Sequence, residues 1–339
     1  MSEQSLPIPA ETWQTKVRHL YSRSTLAGPL SVLIVILILL SIFVPKFLTF
    51  RSISGIINAA TLSGTLTIGV AMLMISGEFD LSVGSMMAVG GYLFGGLCMA
   101  GQPFLGLVLG LLVPAVLGSL NGLLLVWTNI PSFIVTLGTK YLFRGLLWVI
   151  TAGTMLQTIA KLPIFNVFNG RLDILNNLFS DANFRTALLW QLMLVIIFHT
   201  ILIRTRFGNH VFAVGGNAGA ALGQGVNVKR VKVVNFIITG FLSGFTGILL
   251  FSQYFTVRVA SGDGMELSAI AAAVVGGTLI TGGAGGIWGA LIGALIISTL
   301  RTGVVLMNIP FIPADNFEAI VGVTIVLAAI FNNYLRTRN

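Results

Sequence analysis

Read from its start, the chain is a succession of long apolar runs separated by short polar breaks. A helix crossing a bilayer needs roughly 20 apolar residues, within a range of about 17–25. Ten runs meet or approach that length: 27–45, 54–76, 82–100, 104–127, 132–153, 186–203, 233–255, 266–281, 287–306 and 317–334. None shows the strict two-residue alternation of a half-buried strand. The pattern predicts an all-α polytopic membrane protein of about ten transmembrane helices. Only two connections, 154–185 and 204–232, are long. The expected organisation is a tail over 1–26, a membrane domain over 27–335 and a short tail over 336–339.

The second long connection, RTRFGNHVFAVGGNAGAALGQGVNVKRVK over 204–232, is the most basic and least apolar interruption in the second half. It holds five of the 19 Lys and Arg residues (Arg204, Arg206, Lys229, Arg230 and Lys232) and no acid. Basic residues favour the cytoplasmic side of a membrane. With the N-terminus inside, Lys16, Arg18, Arg23, these five, Arg336 and Arg338 fall inside. Lys46, Arg51, Lys161, Arg171, Arg185 and Arg258 fall outside. That ten-to-six asymmetry, with an even number of spans, places both termini and the 204–232 connection in the cytoplasm. Within it, Asn217 is placed to cap a short helix over 218–222, closed by Gly223 and Gly225. A short helix of small residues is marginal alone. It is either a partner-docking element that permits close approach or a solvated turn.

Two segments repeat. Residues 80–96, DLSVGSMMAVGGYLFGG, align without gaps on 266–282, ELSAIAAAVVGGTLITG, and Asn129-Ile130-Pro131 recurs as Asn308-Ile309-Pro310. Five spans separate the copies, so the two five-helix halves are expected to be inverted, an arrangement that puts a pathway near the bilayer midplane.

Composition agrees with a membrane protein. The 339 residues are 55% hydrophobic and 9% charged, far below the about 25% charge of soluble domains. Forty glycines suit close helix packing, and Gly91-x-x-x-Gly95, Gly106-x-x-x-Gly110, Gly118-x-x-x-Gly122, Gly240-x-x-x-Gly244 and Gly289-x-x-x-Gly293 are small-residue packing faces. The formal charge of +9 sits at the ends of apolar runs rather than in a stripe, which argues against nucleic acid. The single Cys98 excludes an intrachain disulfide. The basic N-terminal region leads into an uncleaved first span, with no small-residue cleavage site after it.

Chemistry-bearing residues are few. Gly77-Glu-Phe-Asp-Leu-Ser-Val-Gly-Ser85 places Glu78, Asp80 and Ser82 between two spans. Either Ser82 or Asp80 caps the helix that follows, or the segment is a hinge lining the pathway. Glu266 and Ser268 stand equivalently before the eighth span, which ends in Gly276-Gly277 and the turn Thr281-Gly-Gly-Ala-Gly-Gly286. That glycine cluster lacks the lysine of a phosphate-binding loop. Lys140 and Arg144 lie four apart on one face of the fifth span, where ionisable groups are costly. They either pair with Asp80 or Glu78 or line a polar path. Arg301 in the ninth span poses the same question more weakly. The scattered His19, His199 and His210 have no metal-ligand spacing, and no nucleophile–base arrangement is suggested.

Together these residues resemble the ribose-type sugar ABC transporter permeases. Gly77–Ser85 is similar to that family's Gly-Gly-Ile-Asp-Leu-Ser-Val-Gly-Ser motif. Arg204-Thr-Arg-Phe-Gly208 with Val214-Gly-Gly-Asn217 and Ala220-Ala221 looks like its cytoplasmic loop. Glu266–Thr278 with Gly282-Gly283 and Trp288-Gly289 resembles its C-terminal signature, and Ile130–Gly138 with Arg144-Gly145 its fifth span. Glu78-Phe79 and Lys140 depart from the pattern, and 171–181 matches nothing. The resemblance implies a bacterial inner-membrane permease subunit that binds no cofactor itself. Separate ATP-binding subunits would use ATP and Mg²⁺, a periplasmic or lipid-anchored solute-binding protein would deliver the solute, and a second permease copy would complete the channel. It further implies an ATPase-coupling role for Arg206, Gly208, Gly215, Gly216, Asn217, Ala220, Ala221 and Gly225. Two rivals stay open: a relative carrying nucleosides or amino acids, and a stand-alone secondary transporter. For the latter, Asp80, Glu266, Lys140 and Arg144 are the only candidate coupling groups.

Overall fold

The computed structural model describes residues 26–307 and, beyond them, only positions 319, 322, 323 and 326. Apart from those positions, the expected span 317–334, the recurring Asn308-Ile309-Pro310, both tails, and Lys16, Arg18, Arg23, Arg336 and Arg338 lie outside the described residues. The described chain runs α1 (Ala27–Phe43), α2 (Phe50–Ile75), α3 (Val83–Met99), α4 (Pro103–Thr128), α5 (Ser132–Thr151), β1 (Leu156–Gln157), α6 (Pro163–Asn169), α7 (Asp173–Leu178), α8 (Ala187–Arg204), α9 (Arg206–Gly216), α10 (Ala218–Gly223), α11 (Val228–Tyr254), β2 (Thr256–Val257), α12 (Met265–Val275) and α13 (Ile287–Met307). Among the described residues, six helices are long and apolar enough to cross a membrane, and α1, α3 and α12 are shorter apolar helices. They follow the order of the first nine expected spans.

One expected span is cut short. The eighth run, 266–281, forms an 11-residue helix, α12, about 16 Å long at 1.5 Å per residue and only half a bilayer. Glycine chemistry ends it. Gly277 takes φ +93°, and the N–H groups of Gly277 and Thr278 return to Val274 and Ala273 at 2.9 Å, a glycine-terminated C-cap. The aligned Gly90-Gly91 stays inside the 17 residues of α3. There the neighbouring backbone of α11 holds the helix: a Cβ on Gly90 would lie 2.7 Å from Gly244 Cα.

The long connections are more ordered than their composition suggests. In 154–185, β1 pairs antiparallel with β2, in the register Leu156↔Val257 and Gln157↔Thr256. It covers an aromatic cluster in which Phe94 meets Phe165, Phe168 and Phe251 edge-on, at 5.7–6.3 Å. Segment 204–232 contains α9 as well as the expected α10. Helix α9 was read as loop because its apolar residues are broken by His210 and by Gly215-Gly216 at its end. Thr205 caps it, accepting from Gly208 N at 3.2 Å.

The core is built on α2 and α11, the most enclosed of the long helices. Helix α2 packs on α8, α11, α12 and α13, and α11 packs on α3 and α4. Small residues set these distances. A Cβ on Gly240 would lie 2.2 Å from Pro114 O, one on Gly118 2.3 Å from Phe236 O, and one on Gly293 1.8 Å from Ala272 O. Lipid tails supply no hydrophobic drive between helices, so dispersion at close backbone approach carries the association. Buried amides add direction. Gln191 Nε2 donates to Ala60 O at 3.0 Å, and Asn169 Nδ2 donates to Leu249 O at 3.0 Å.

Gly240→Leu should therefore force α4 and α11 apart, at a cost of about 1–3 kcal/mol as for other overpacked cores, read as a lower midpoint of thermal unfolding in detergent. Gly138→Leu is the control, because a Cβ there meets nothing within 4 Å. Equal losses in the two variants would contradict the packing described.

Candidate functional site

Two features converge where the broken helices end. The first is a layer of charge at the N-terminal ends of α3 and α12, which approach each other closely: a Cβ on Gly84 would lie 2.2 Å from Gly262 O and 3.0 Å from Glu266 Oε2. Asp80 is buried, and its Oδ1 accepts from Ser82 N at 2.8 Å and from Ser82 Oγ at 2.6 Å. Asn121 of α4 donates to Ser82 Oγ at 2.8 Å. Beside this triad, Lys140 of α5 pairs with Glu266, and Arg144, one turn on, pairs with Asp263. Ser85 Oγ donates to Lys140 O at 2.9 Å, and Phe79 N donates to Ser132 Oγ at 3.1 Å. These bonds fasten α5 to the 76–85 segment. A charge at the centre of a membrane helix costs about 2.5–3.5 kcal/mol on insertion scales, which explains why each cation here meets an acid.

The second feature is a backbone junction. Helix α2 stops at Ile75, and Gly77 takes φ +85°, with Gly77 N and Glu78 N returning to Met74 O and Leu73 O at 2.9 and 3.2 Å. This is the cap that also ends α12. The end of α2 meets the turn beyond α12, because Gly283 N donates to Ile75 O at 2.9 Å. The last turn of α9 is wedged between them: a Cβ on Gly215 would lie 1.7 Å from Ile75 O and 2.6 Å from Gly283 N. Close by, Glu78 pairs with Lys232 in the first turns of α11. Both line a cleft of about 760 Å³ together with Ile130, Leu222 and Lys229.

The sequence-predicted residues distribute over these features with several corrections. Ser82 makes no side-chain cap for α3, since its hydroxyl is turned to Asp80, and it is Asp80 that accepts from the Ser82 N–H. Glu266 and Ser268 do not cap α12 either. Its N-cap is Gly264, Glu266 is taken by Lys140, and Ser268 Oγ donates back to Gly264 O at 3.1 Å. Lys140 and Arg144 pair with acids from beyond the 204–232 connection rather than with Asp80 or Glu78, because α5 packs beside the 262–266 turn. Gly276 contacts Gly289 backbone, and Gly277 ends α12. Asn217 does cap α10, with Oδ1 accepting from Ala220 N at 2.9 Å, and Gly225 takes φ +81°. Ala221 turns inward and is buried, whereas Arg206, Gly216, Asn217, Ala220 and Gly225 are exposed. Gly208 packs on Leu202 O, where a Cβ would lie at 2.0 Å.

Sequence reading missed Asn121, Lys232, Asp263, Leu222 and Gly282-Gly283 as site residues. Asn121 had a signal, as a lone amide inside an apolar run. Asp263 and Lys232 had none, since their partners are more than a hundred residues away.

The comparisons fit this geometry. Residues 52–329 match the family described as "Branched-chain amino acid transport system / permease component", and the chain belongs to that family. It is a multi-pass membrane permease. It is 33% identical over 307 residues to the ribose import permease protein RbsC of Bacillus subtilis, covering 90% of this chain and 92% of the relative. It is 32% identical over 314 residues to the L-arabinose ABC transporter permease protein AraH of Azospirillum brasilense, covering 92% and 88%. It is 32% identical over 266 residues to the D-allose transport system permease protein AlsC of Escherichia coli, covering 78% of each chain. No solved structure matches the chain.

Lys232→Met should leave the Glu78 carboxylate without its partner and lower stability by about 1.5–3 kcal/mol, as for hydrogen bonds to charged groups. Adding Glu78→Leu should recover most of that loss, because an apolar replacement removes the stranded charge. Thermal unfolding in detergent tests it, and a double variant no better than the single one would show the pair to be unimportant.

Proposed function

We propose that this chain is the transmembrane permease subunit of an ATP-binding cassette importer, carrying a sugar or sugar-like solute across the bacterial inner membrane. Relatives named for ribose, arabinose and allose cover most of the chain and support a sugar. The family description, which names branched-chain amino acids, keeps a permease for another small polar solute as the second reading. On this reading the N-terminus and the 204–232 segment face the cytoplasm. Separate ATP-binding subunits use ATP and Mg²⁺, a solute-binding protein delivers the solute outside, and a second permease copy completes the channel.

The observation that carries the mechanism is the wedge of Gly215 between the end of α2 and the Gly282-Gly283 turn that follows α12. Displacing α9 and α10 displaces both, with no side chain between to absorb the movement. The inverted plan is supported by α3 and α12, whose repeat-related N-terminal ends approach each other closely. Movement of the junction would rock these helices and change which side of the charged layer is open. ATP acts by favouring one of the two arrangements through its differential contacts.

The exposed tip of the handle is Leu222, 65% exposed on α10, beside Gly223, where a Cβ meets nothing. Leu222→Arg should abolish co-purification of the ATP-binding subunit of the same import system and reduce solute import to background, while the variant still elutes as a monodisperse membrane protein. Wild-type recovery of the ATP-binding subunit with this variant would refute the handle.

A further inference from the structure

We propose that Lys140, Arg144, Asp263 and Glu266 form a solute-binding station within the pathway, and that it takes vicinal hydroxyl groups of a neutral polyhydroxylated solute. The inference rests on the permease reading above and deepens it by assigning a contact site and a substrate chemistry to this chain itself, beyond whatever the solute-binding protein selects.

Hydrogen-bonding capacity in this cluster is left unfilled. Glu266 is 2% exposed. Its Oε1 accepts from Lys140, yet its Oε2, equally buried, has no partner among the described residues. Arg144 meets Asp263 through Nη1, while its Nε and Nη2, also buried, make no hydrogen bond. A buried donor or acceptor left unmade loses its full desolvation penalty, about 1–3 kcal/mol and more when charged, so such vacancies are rare unless something fills them. The free donors and the free acceptor belong to neighbouring ion pairs, because Lys140 and Arg144 lie one turn apart on one helix face.

The chemistry of the vacancies selects the ligand. A carboxylate or phosphate could accept from Arg144 but would face Glu266 Oε2, acceptor against acceptor. An ammonium could donate to Glu266 but would face the guanidinium. A hydroxyl does both, accepting from guanidinium N–H and donating to carboxylate oxygen. Two cations and two acids leave the cluster neutral, so it has no net field to draw an ion. The N-terminal ends of α3 and α12 favour negative charge beside them. The Lys140 and Arg144 side chains are 19% and 15% exposed and that of Asp263 is 55% exposed, while the vacant atoms themselves are buried, so a solute engages them as the surrounding helices part.

The test uses the assembled permease and ATP-binding subunits in nanodiscs, without the solute-binding protein, whose own selectivity would mask the station. Equilibrium dialysis with tritiated D-ribose, L-arabinose, D-xylose and D-allose should show saturable millimolar binding of at least one. A singly deoxygenated analogue of that sugar should compete roughly tenfold or more weakly, as when a site built for a hydroxyl loses it. Arg144→Lys and Glu266→Gln, which keep size and one hydrogen bond each, should weaken the parent sugar about tenfold relative to the same amount of assembled, monodisperse complex. Absence of saturable binding, wild-type binding by both variants, or competition by D-gluconate but by no neutral sugar would each overturn the station. Import is measured in parallel with the solute-binding protein restored. A wild-type complex that imports none of the four sugars faults the proposed function, whereas one that imports them without binding at this layer faults only the station.

Discussion

The structure depends on one contact between backbones. Gly283 N donates to Ile75 O, joining the end of a full-length helix, α2, to the loop beyond a half-length one, α12. Gly215 presses against both partners of that bond. Three segments from distant parts of the chain thus meet with no side chain between them. The contact is possible because Gly215 and Gly283 carry no Cβ, and Gly77, Gly282 and Gly283 also take positive φ, where other residues are strained. A joint of this kind is stiff, because flexible side chains that might absorb a displacement are missing.

The same economy governs charge. In a low-dielectric interior an unpaired charge is costly, and Lys140, Arg144 and Lys232 each meet an acid across the 204–232 connection. These pairs tie the earlier part of the chain to the later part at two levels, one beside the meeting ends of α3 and α12 and one beside the glycine junction. Asp80 is held differently, accepting from Ser82 and Asn121 rather than from a cation among the described residues. The acids aligned by the internal repeat, Asp80 and Glu266, have therefore diverged in environment: one closes a local turn and the other reaches a cation on another helix.

Much of this was legible beforehand. The nine apolar runs within the described residues became helices in the expected order, since a run of some 20 apolar residues has few other fates in lipid. The cap of α10 by Asn217 was readable because it is local, a side chain reaching a backbone N–H three residues on. The Gly-x-x-x-Gly pairs announced close packing, and Gly240 and Gly244 do pack on the backbone of α4. What failed was whatever needed a partner. Ser82 or Asp80 was expected to cap α3 and Glu266 to cap α12, yet the Ser82 hydroxyl is turned to Asp80 and Glu266 is claimed by Lys140, a group the sequence does not place nearby. Helix α12 was expected to run to 281, but Gly277 ends it while Gly91, aligned with it by the repeat, does not end α3.

Sequence alone therefore determined the class of protein, the order of its helices and the polar interruptions where chemistry had to lie. Apolar run length, glycine spacing and local capping act over a few residues, and their consequences hold wherever the helices finally sit. The tertiary structure alone decided which cation meets which acid, which glycines act as hinges and which only allow packing, and that Gly215 lies between the end of α2 and the turn that follows α12. Those outcomes depend on distances between segments more than a hundred residues apart, and only the packed bundle sets them. The stretch from Arg204 to Lys232 shows both sides: its composition marked it as an interface, and its burial pattern showed that Ala221 faces the core while Leu222 faces out.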